Sequence, residues 1–526
     1  LSATPYKLYT ADAEIEDEDH YEDFIATTSF LTRHDAARVG QLKRNIARFG
    51  NELKFAAEGR KGCVVAAKMA VQRDLQSIMA RTERVDASEG QDAMLEDVGL
   101  SLSLVPRDVR HYIAANALFS AVGDGDPMAY WKSAPYLLHF MRGYRFNDRL
   151  EETCQLSPEK IVRFLGHHGS SVLERSELLE WGKLDAGNAK LREVVRDLLD
   201  GGLWRLLWMP PTVPYWPLES AFDGQENRTK TLLFSAWNVV PDVVSAVLSY
   251  ESERRMMGDQ LDSYEDPARQ QVPRLRFTQT VTGSRSRHRL LLLLLPCLKL
   301  ADAAHPLSAP LGADRRSWVR MQIETLLSDP SIPNPTEGGV DSRWEWAAPI
   351  VLDPSLKDFL EHWRNDDADL PKPNAEILPD YLQDLLDLDP ATLGRRPKDL
   401  VEILTETALG SPAVLAARTM TSAGISDAAR SQNALHIADA FWKLFNRPAV
   451  ISLLNQLASA DGKLSHDESI YWRQVLRYCI AGNLQSVLDE TWHLAWEQRA
   501  WTAENSPEMV AKECALDLAG TIPVSY

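Results

Sequence analysis

Cysteine is scarce in this sequence of 526 residues and never occurs as a C-x-x-C pair. The five cysteines lie far apart, at Cys63, Cys154, Cys297, Cys479 and Cys514. This spacing supports neither a zinc site nor a disulfide framework, so we expect a reducing, cytoplasmic compartment. Long apolar runs are also missing, since residues 290–298 are interrupted by Pro296 and fall short of the roughly 20 residues that cross a bilayer. We therefore expect no membrane partner.

Positive charge is in deficit, because 57 Lys and Arg face 75 Asp and Glu, for a formal net charge of −18. This balance excludes a generally basic protein that coats nucleic acid, but it leaves room for a local basic groove. The apolar and charged fractions, 44% and 25%, are typical of a globular protein and exclude wholesale disorder. At roughly 150 residues per domain, the length predicts about three or four domains.

The motifs that bind and hydrolyse a nucleotide are absent as well. The sequence contains no G-x-x-x-x-G-K-[ST] phosphate loop, since the Gly-Lys pairs at 182–183 and 462–463 lack the upstream glycine. Gly394-Arg395-Arg396 has Ala391 where Q-x-x-G-R-x-x-R requires glutamine. Phosphoryl transfer needs a phosphate cradle, Mg²⁺ and a charge-stabilising arginine. We therefore predict no ATPase activity from this chain alone.

Two short apolar runs have the character of strands. Residues 203–209 form a strand-like run that is closed by prolines, and residues 231–235, which follow a polar loop, are predicted to be a buried strand. Pro241 begins a helical pattern just after the second run, which predicts the αβ unit of a doubly wound sheet. Elsewhere the apolar periodicity is helical, most clearly at 427–460 and 465–501.

Four stretches carry a family resemblance. They are L-S-A-T-P-Y-K-L-Y-T at residues 1–10, M-A-R-T-E-R at 79–84, Y-W-K-S-A-P-Y at 130–136 and K-T-L-L-F-S-A-W at 230–237. In this order they resemble the superfamily 2 DEAD/DEAH-box helicases, in a prokaryotic branch related to remodeller-like translocases. The resemblance covers residues 1 to about 304. It implies that the chain is an internal fragment of a longer helicase, beginning at the S-A-T motif.

The resemblance implies a mixed α/β fold dominated by helices, with parts of two RecA-like α/β domains. Residues 1–100 would be the C-terminal part of the first motor domain, and residues 101–202 a helical connector. Residues 203–304 would begin the second RecA-like domain, and residues 305–526 would be a large helical insertion within or after it.

The same resemblance implies roles for several residues. Ser2 and Thr4 would couple the ATP state to closure of the motor domains, unless they only satisfy backbone groups at a strand end. Arg81, Thr82 and Arg84 would lie between the two motor domains. The intact protein would bind ATP and Mg²⁺ and act on nucleic acid, specifically double-stranded DNA, while the helical insertion would bind a protein partner.

Two basic stretches could follow a nucleic-acid backbone through phosphate contacts. The first spans residues 38–61, and the second spans residues 269–289, after the motif IV position at Ser235. The predicted nucleic-acid-binding residues of this region are Ser235, Arg274, Arg276, Arg285, Arg287 and Arg289. For each basic stretch, a solvated or ion-paired surface is an equally good interpretation.

The principal alternative to part of a motor is a non-enzymatic helical module that binds protein or DNA. The histidine pair at 167–168 lacks a carboxylate or cysteine at ligand spacing, so it does not predict a metal site. Trp492 and Trp496 are four residues apart, which favours packing within a helical bundle over a base-stacking platform.

Overall fold

The computed structural model describes residues 20–32, 34–57, 63–76, 99, 102–133, 143–173, 175–184, 187–235, 237, 239–258, 263, 265, 272–279, 285–365, 370–460, 470–500 and 506–522. Within these residues there is no β-strand; the only ladder contacts among them are two isolated bridges, Gln279 with Arg285 and Val340 with Arg395. The predicted mixed α/β fold with parts of two RecA-like domains is therefore wrong for the described part of the chain. The chain divides into two compact units, residues 1–99 and 100–526.

The first unit contains helices α1 (His20–Leu31), α2 (Ala36–Ala57) and α3 (Val64–Gln76). Its core is a small apolar cluster of Phe24, Ile25, Leu42, Ile46 and Val71. Polar contacts join α2 to α3, because the side chains of Gln41 and Asn45 both donate to Asp74, at 3.0 and 2.6 Å.

The second unit begins with short helices around their own apolar core. These are α4 (Pro106–Val122), α5 (Pro127–Ser133), α6 (Arg145–Leu156), α7 (Pro158–His168), α8 (Arg175–Leu179), α9 (Ala189–Val195) and α10 (Val239–Met257). Pro106 occupies the first turn of α4, where its missing N–H costs nothing, and Gly123 ends that helix at φ 79°. Asp108 is buried in α4 and accepts two hydrogen bonds from Arg192, at 2.9 and 2.6 Å, which joins α4 to α9.

The remaining helices pack around one large apolar core. They are α11 (Leu298–Ala303), α12 (Arg315–Leu327), α13 (Trp344–Leu352), α14 (Leu356–Arg364), α15 (Leu378–Leu386), α16 (Leu400–Gly410), α17 (Pro412–Thr419), α18 (Asp427–Phe445), α19 (Pro448–Ala460), α20 (Tyr471–Ala481), α21 (Leu484–Ala500) and α22 (Pro507–Thr521). Helices α16 and α20 pack so closely that a Cβ on Gly410 would lie 2.4 Å from the carbonyl oxygen of Leu476.

Both runs predicted to be strands have other conformations. Residues 203–205 form a 3₁₀ turn, after which Leu206 and Leu207 are buried in irregular chain. The second run is irregular and exposed, with Leu232 64%, Leu233 46% and Phe234 78% accessible. A strand needs a neighbour to pair with its backbone, and the described residues provide none for these runs. Apolar character alone therefore did not identify a strand.

Candidate functional site

Five residues with predicted roles lie outside the described residues. They are Ser2 and Thr4 of the S-A-T motif, and Arg81, Thr82 and Arg84 of the interdomain stretch. Their predicted roles remain predictions that depend on the resemblance alone.

Ser235, the predicted motif IV residue, lies in exposed irregular chain just before α10. Its hydroxyl accepts a hydrogen bond from the backbone N–H of Trp237 at 3.0 Å. This is a local turn contact, and the donor and the second lone pair of the hydroxyl remain accessible to solvent.

Arg285, by contrast, is held by carboxylates. Its Nε donates to Oδ2 of Asp384 at 2.6 Å and its Nη2 donates to Oδ1 at 2.5 Å, which forms a bidentate pair. Asp380 lies 3.6 Å from the same guanidinium. Both carboxylates belong to α15, about a hundred residues away in the sequence, and they compete with any phosphate for Arg285.

Two other arginines of this basic stretch, Arg287 and Arg289, also have partners within the second unit. Arg289 forms an ion pair with Glu345 of α13. Arg287 donates from Nη1 to the backbone oxygen of Arg274 at 3.2 Å, so it bridges two parts of the stretch. Arg276 is exposed. The structure thus brings Arg274 and Arg287 together, and it holds Arg285 and Arg289 in ion pairs with carboxylates of the second unit.

A histidine that the sequence did not single out lies at the centre of this cluster. His288 Nε2 is 2.8 Å from Asp384 Oδ2, and its ring stacks on Trp346 with centroids 4.5 Å apart. Burial lowers the pKa of His288, more than the hydrogen bond to Asp384 raises it. Burial also opposes ionisation of Asp384, but hydrogen bonds from Arg285 and His288 outweigh it and lower that pKa.

The His288–Asp384 pair lines a surface cavity of about 310 Å³. The other lining residues are Arg343, Trp346, Asp387, Leu388, Asp389 and Thr392. Arg343 is already bonded to both oxygens of Asp341, at 2.8 to 3.1 Å. No sequence motif could have identified this cavity, because it combines residues from three separate parts of the chain.

A larger cleft of about 1060 Å³ lies between the chain before α10 and the last helices. Its walls are mainly aliphatic and aromatic, and include Trp204, Trp208 and Leu488. Both signs of charge line it, with Arg228 and Glu490 among the lining residues. This lining suits an apolar ligand better than a phosphate.

In the first unit, α2 presents a different kind of basic surface. Leu42 and Ile46 face the core, while Arg44 and Arg48, each two residues further on, lie about 200° around the helix and are exposed. The helix carries five basic side chains and one carboxylate, Glu52. Within the described residues, Arg44, Arg48 and Lys54 form no ion pair. We call Arg44, Arg48 and Lys54 the α2 basic face.

Arg396 of the Gly394-Arg395-Arg396 tripeptide is held by contacts within the second unit. Arg396 donates to the backbone oxygens of Leu327, Ile332 and Pro333, at 2.7 to 3.2 Å, and covers the ring of Trp344. Among the described residues, no three His, Cys, Asp or Glu side chains are placed to hold a metal ion.

No protein-family model, curated protein or solved structure matches this chain. Over the described residues, no single helix has the length and apolar character needed to cross a membrane. Helices α16 and α17 meet those criteria only as a pair, bent by 53° at their junction, and both contribute to the large core.

Proposed function

We propose that this chain is a non-catalytic helical part of a nucleic-acid translocase, and that it contacts the phosphate backbone through the α2 basic face. The motor activity is implied by the resemblance in residues 1–304. The observation that supports nucleic-acid contact is the contrast between the two basic stretches. Arg285 and Arg289 are neutralised by carboxylates, whereas Arg44 and Arg48 are exposed and unpaired within the described residues.

The spacing of the arginines on α2 is compatible with the spacing of phosphates along a duplex. Arg44 and Arg48 lie one helical turn apart, a rise of about 6 Å along the axis. A duplex carries one phosphate per roughly 3.4 Å along each strand, so neighbouring arginines can reach successive or alternate phosphates. Such contacts recognise charge and not sequence.

Binding to a fluorescein-labelled 20-base-pair duplex, followed by anisotropy from 50 to 300 mM KCl, tests this proposal. Losing two phosphate contacts in R44Q/R48Q should make the negative slope of log K against log salt shallower by about 1.8. If the parent chain and R44Q/R48Q bind equally at 1 M salt, this difference in slope makes the variant bind about 30-fold more weakly at 0.15 M.

A matched control removes two exposed arginines from the second unit. Arg145 and Arg320 each have a majority of the side chain accessible, so R145Q/R320Q makes the same change in net charge. We expect it to bind the duplex within about twofold of the parent chain. Equal affinities and equal salt slopes for the parent chain and R44Q/R48Q would contradict contact through the α2 basic face.

The non-catalytic part of the proposal has its own measurement. Because the sequence lacks the phosphate loop, phosphate release from ATP and Mg²⁺ should remain at background with and without DNA. DNA-stimulated turnover that survives purification would show that this chain contains an unrecognised nucleotide site.

A further inference from the structure

The 310 Å³ cavity is lined by His288 and by three carboxylates, Asp384, Asp387 and Asp389. Asp384 is an acceptor only, since both of its oxygens already receive hydrogen bonds from Arg285. The proton of the His288–Asp384 bond therefore lies on His288 Nε2, and the neutral ring has its lone pair on Nδ1. Within the described residues, Nδ1 forms no hydrogen bond, although the side chain is only 10% accessible.

Two carboxylates line the same cavity with one oxygen each to spare. Asp387 Oδ1 accepts from Gln383 at 2.7 Å, and Asp389 Oδ1 accepts from the backbone N–H of Ala391 at 3.0 Å. The second oxygen of each carboxylate has no partner within the described residues, and both side chains are exposed. His288, Asp387 and Asp389 thus all line the cavity, and each has one acceptor atom without a partner within the described residues.

The charges around the cavity do not balance. Arg343 is neutralised by Asp341, and Arg285 by Asp384. Among the residues that the structure describes, Asp387 and Asp389 have no cation partner. Burial lowers the pKa of His288, which keeps its ring neutral near pH 7. A ligand that completes this site must bring positive charge and several N–H donors.

We propose that this cavity binds a guanidinium or ammonium group, with His288 Nδ1, Asp387 and Asp389 as its hydrogen-bond acceptors. A guanidinium is the better match, because its five N–H donors lie in one plane and can meet acceptors on different sides. The volume is at the lower end of the range for ligand sites, so the cavity accommodates a head group and a short stem. The cation belongs either to an arginine or lysine side chain of a protein partner or to a free organic amine.

Saturation-transfer NMR and calorimetry with three probes test the site on the full chain. The probes are methylguanidinium chloride, the capped peptide Gly-Arg-Gly and its neutral counterpart Gly-Gln-Gly. Both cationic probes should bind and the neutral peptide should not. Tighter binding of the arginine peptide than of methylguanidinium would indicate a protein partner, and equal binding would indicate a free organic cation.

Removing the two free carboxylates should weaken binding of methylguanidinium by about tenfold or more, because each charge-assisted bond exceeds a neutral one. D387N/D389N keeps an amide oxygen that can accept from Gln383 and Ala391, so the local turns are preserved. D223N/D358N is the matched control, since both residues are exposed and lie outside the cavity lining. Equal binding to the parent chain and D387N/D389N, or equal binding of Gly-Arg-Gly and Gly-Gln-Gly, would overturn the proposal.

Discussion

Asn483 fastens residues 213–216 to the junction of α20 and α21. Its Oδ1 accepts from the backbone N–H groups of Tyr215 and Trp216, at 2.8 and 3.1 Å, and its Nδ2 donates to the oxygen of Trp216 at 3.0 Å. The residue is fully buried and has a left-handed backbone, with φ 50°. Asparagine tolerates this conformation better than most residues do.

The cost of losing this side chain follows from those contacts. Asn483→Gly keeps the left-handed backbone but leaves two N–H groups and one C=O without a partner. At roughly 1 to 1.3 kcal/mol for each orphaned group, the local opening free energy should fall by about 3 to 4 kcal/mol. Asn483→Ala should cost about 1 kcal/mol more, because its Cβ disfavours the left-handed conformation.

Hydrogen exchange of peptides that cover residues 211–222 measures this opening directly. At 1.4 kcal/mol per factor of ten, the amides of Tyr215 and Trp216 should exchange about 100- to 1000-fold faster in Asn483→Gly. Asn446→Ala is the control, because Asn446 makes the same kind of contact with the backbone of Leu275, at 2.8 Å on both sides. That variant should accelerate exchange at Leu275 and leave Tyr215 protected.

The reasoning would be refuted if Tyr215 and Trp216 exchanged within a factor of ten of the parent chain in Asn483→Gly. The same conclusion would follow if Asn483→Gly and Asn446→Ala accelerated exchange in the same peptides.

Three further substitutions test the packing and electrostatics of the second unit by urea unfolding, followed by tryptophan fluorescence. Gly410→Ala should lower the free energy of unfolding by about 1 to 3 kcal/mol, because the new Cβ would lie 2.4 Å from the Leu476 carbonyl oxygen. Gly166→Ala is the control and should not destabilise the protein, because the space at its Cβ is open. Arg418→Met should lower the free energy of unfolding by about 3 kcal/mol, because the fully buried guanidinium donates to two backbone carbonyls and to a glutamine side chain. Burial lowers the pKa of Arg418 to about 10. An unchanged urea midpoint would contradict a stabilising role for these hydrogen bonds. The pKa of His288 is lowered in the folded chain, so the free energy of unfolding should fall as the pH drops below about 6.5. His288→Gln should make this fall smaller. Parallel pH profiles for the parent chain and the variant would exclude His288 as a contributor.

Local signals in the sequence predicted several helices correctly. Helices α18, α19, α20 and α21 fall within the two ranges with the clearest helical periodicity. The helix predicted to begin at Pro241 is α10, which begins two residues earlier, at Val239. Trp492 and Trp496 stack on each other within α21, with centroids 5.9 Å apart, and pack at the large core, as their spacing predicted. These features depend on residues three or four apart, which are neighbours on any helix.

The strand predictions failed because they relied on apolar character without pairing partners. The run 231–235 contains residue types that favour strands, but a strand is stabilised by a neighbouring backbone that no local window contains. Most of the buried run 290–295 lies in the 3₁₀ turns of His288–Leu293. Its apolar composition reflects burial and not the alternation of apolar and polar residues that is typical of a strand.

By itself, the sequence determined the helices within residues 427–460 and 465–501 and the absence of a phosphate loop, because each of these is a pattern within a few neighbouring residues. Only the tertiary structure decided which arginines remain available to a ligand. Arg285 and Arg44 each lie in a basic stretch of the sequence, yet Arg285 is held by Asp384, 99 residues away, and Arg44 is exposed on α2. Charge pairing depends on distances in space, and the folding of the chain sets those distances.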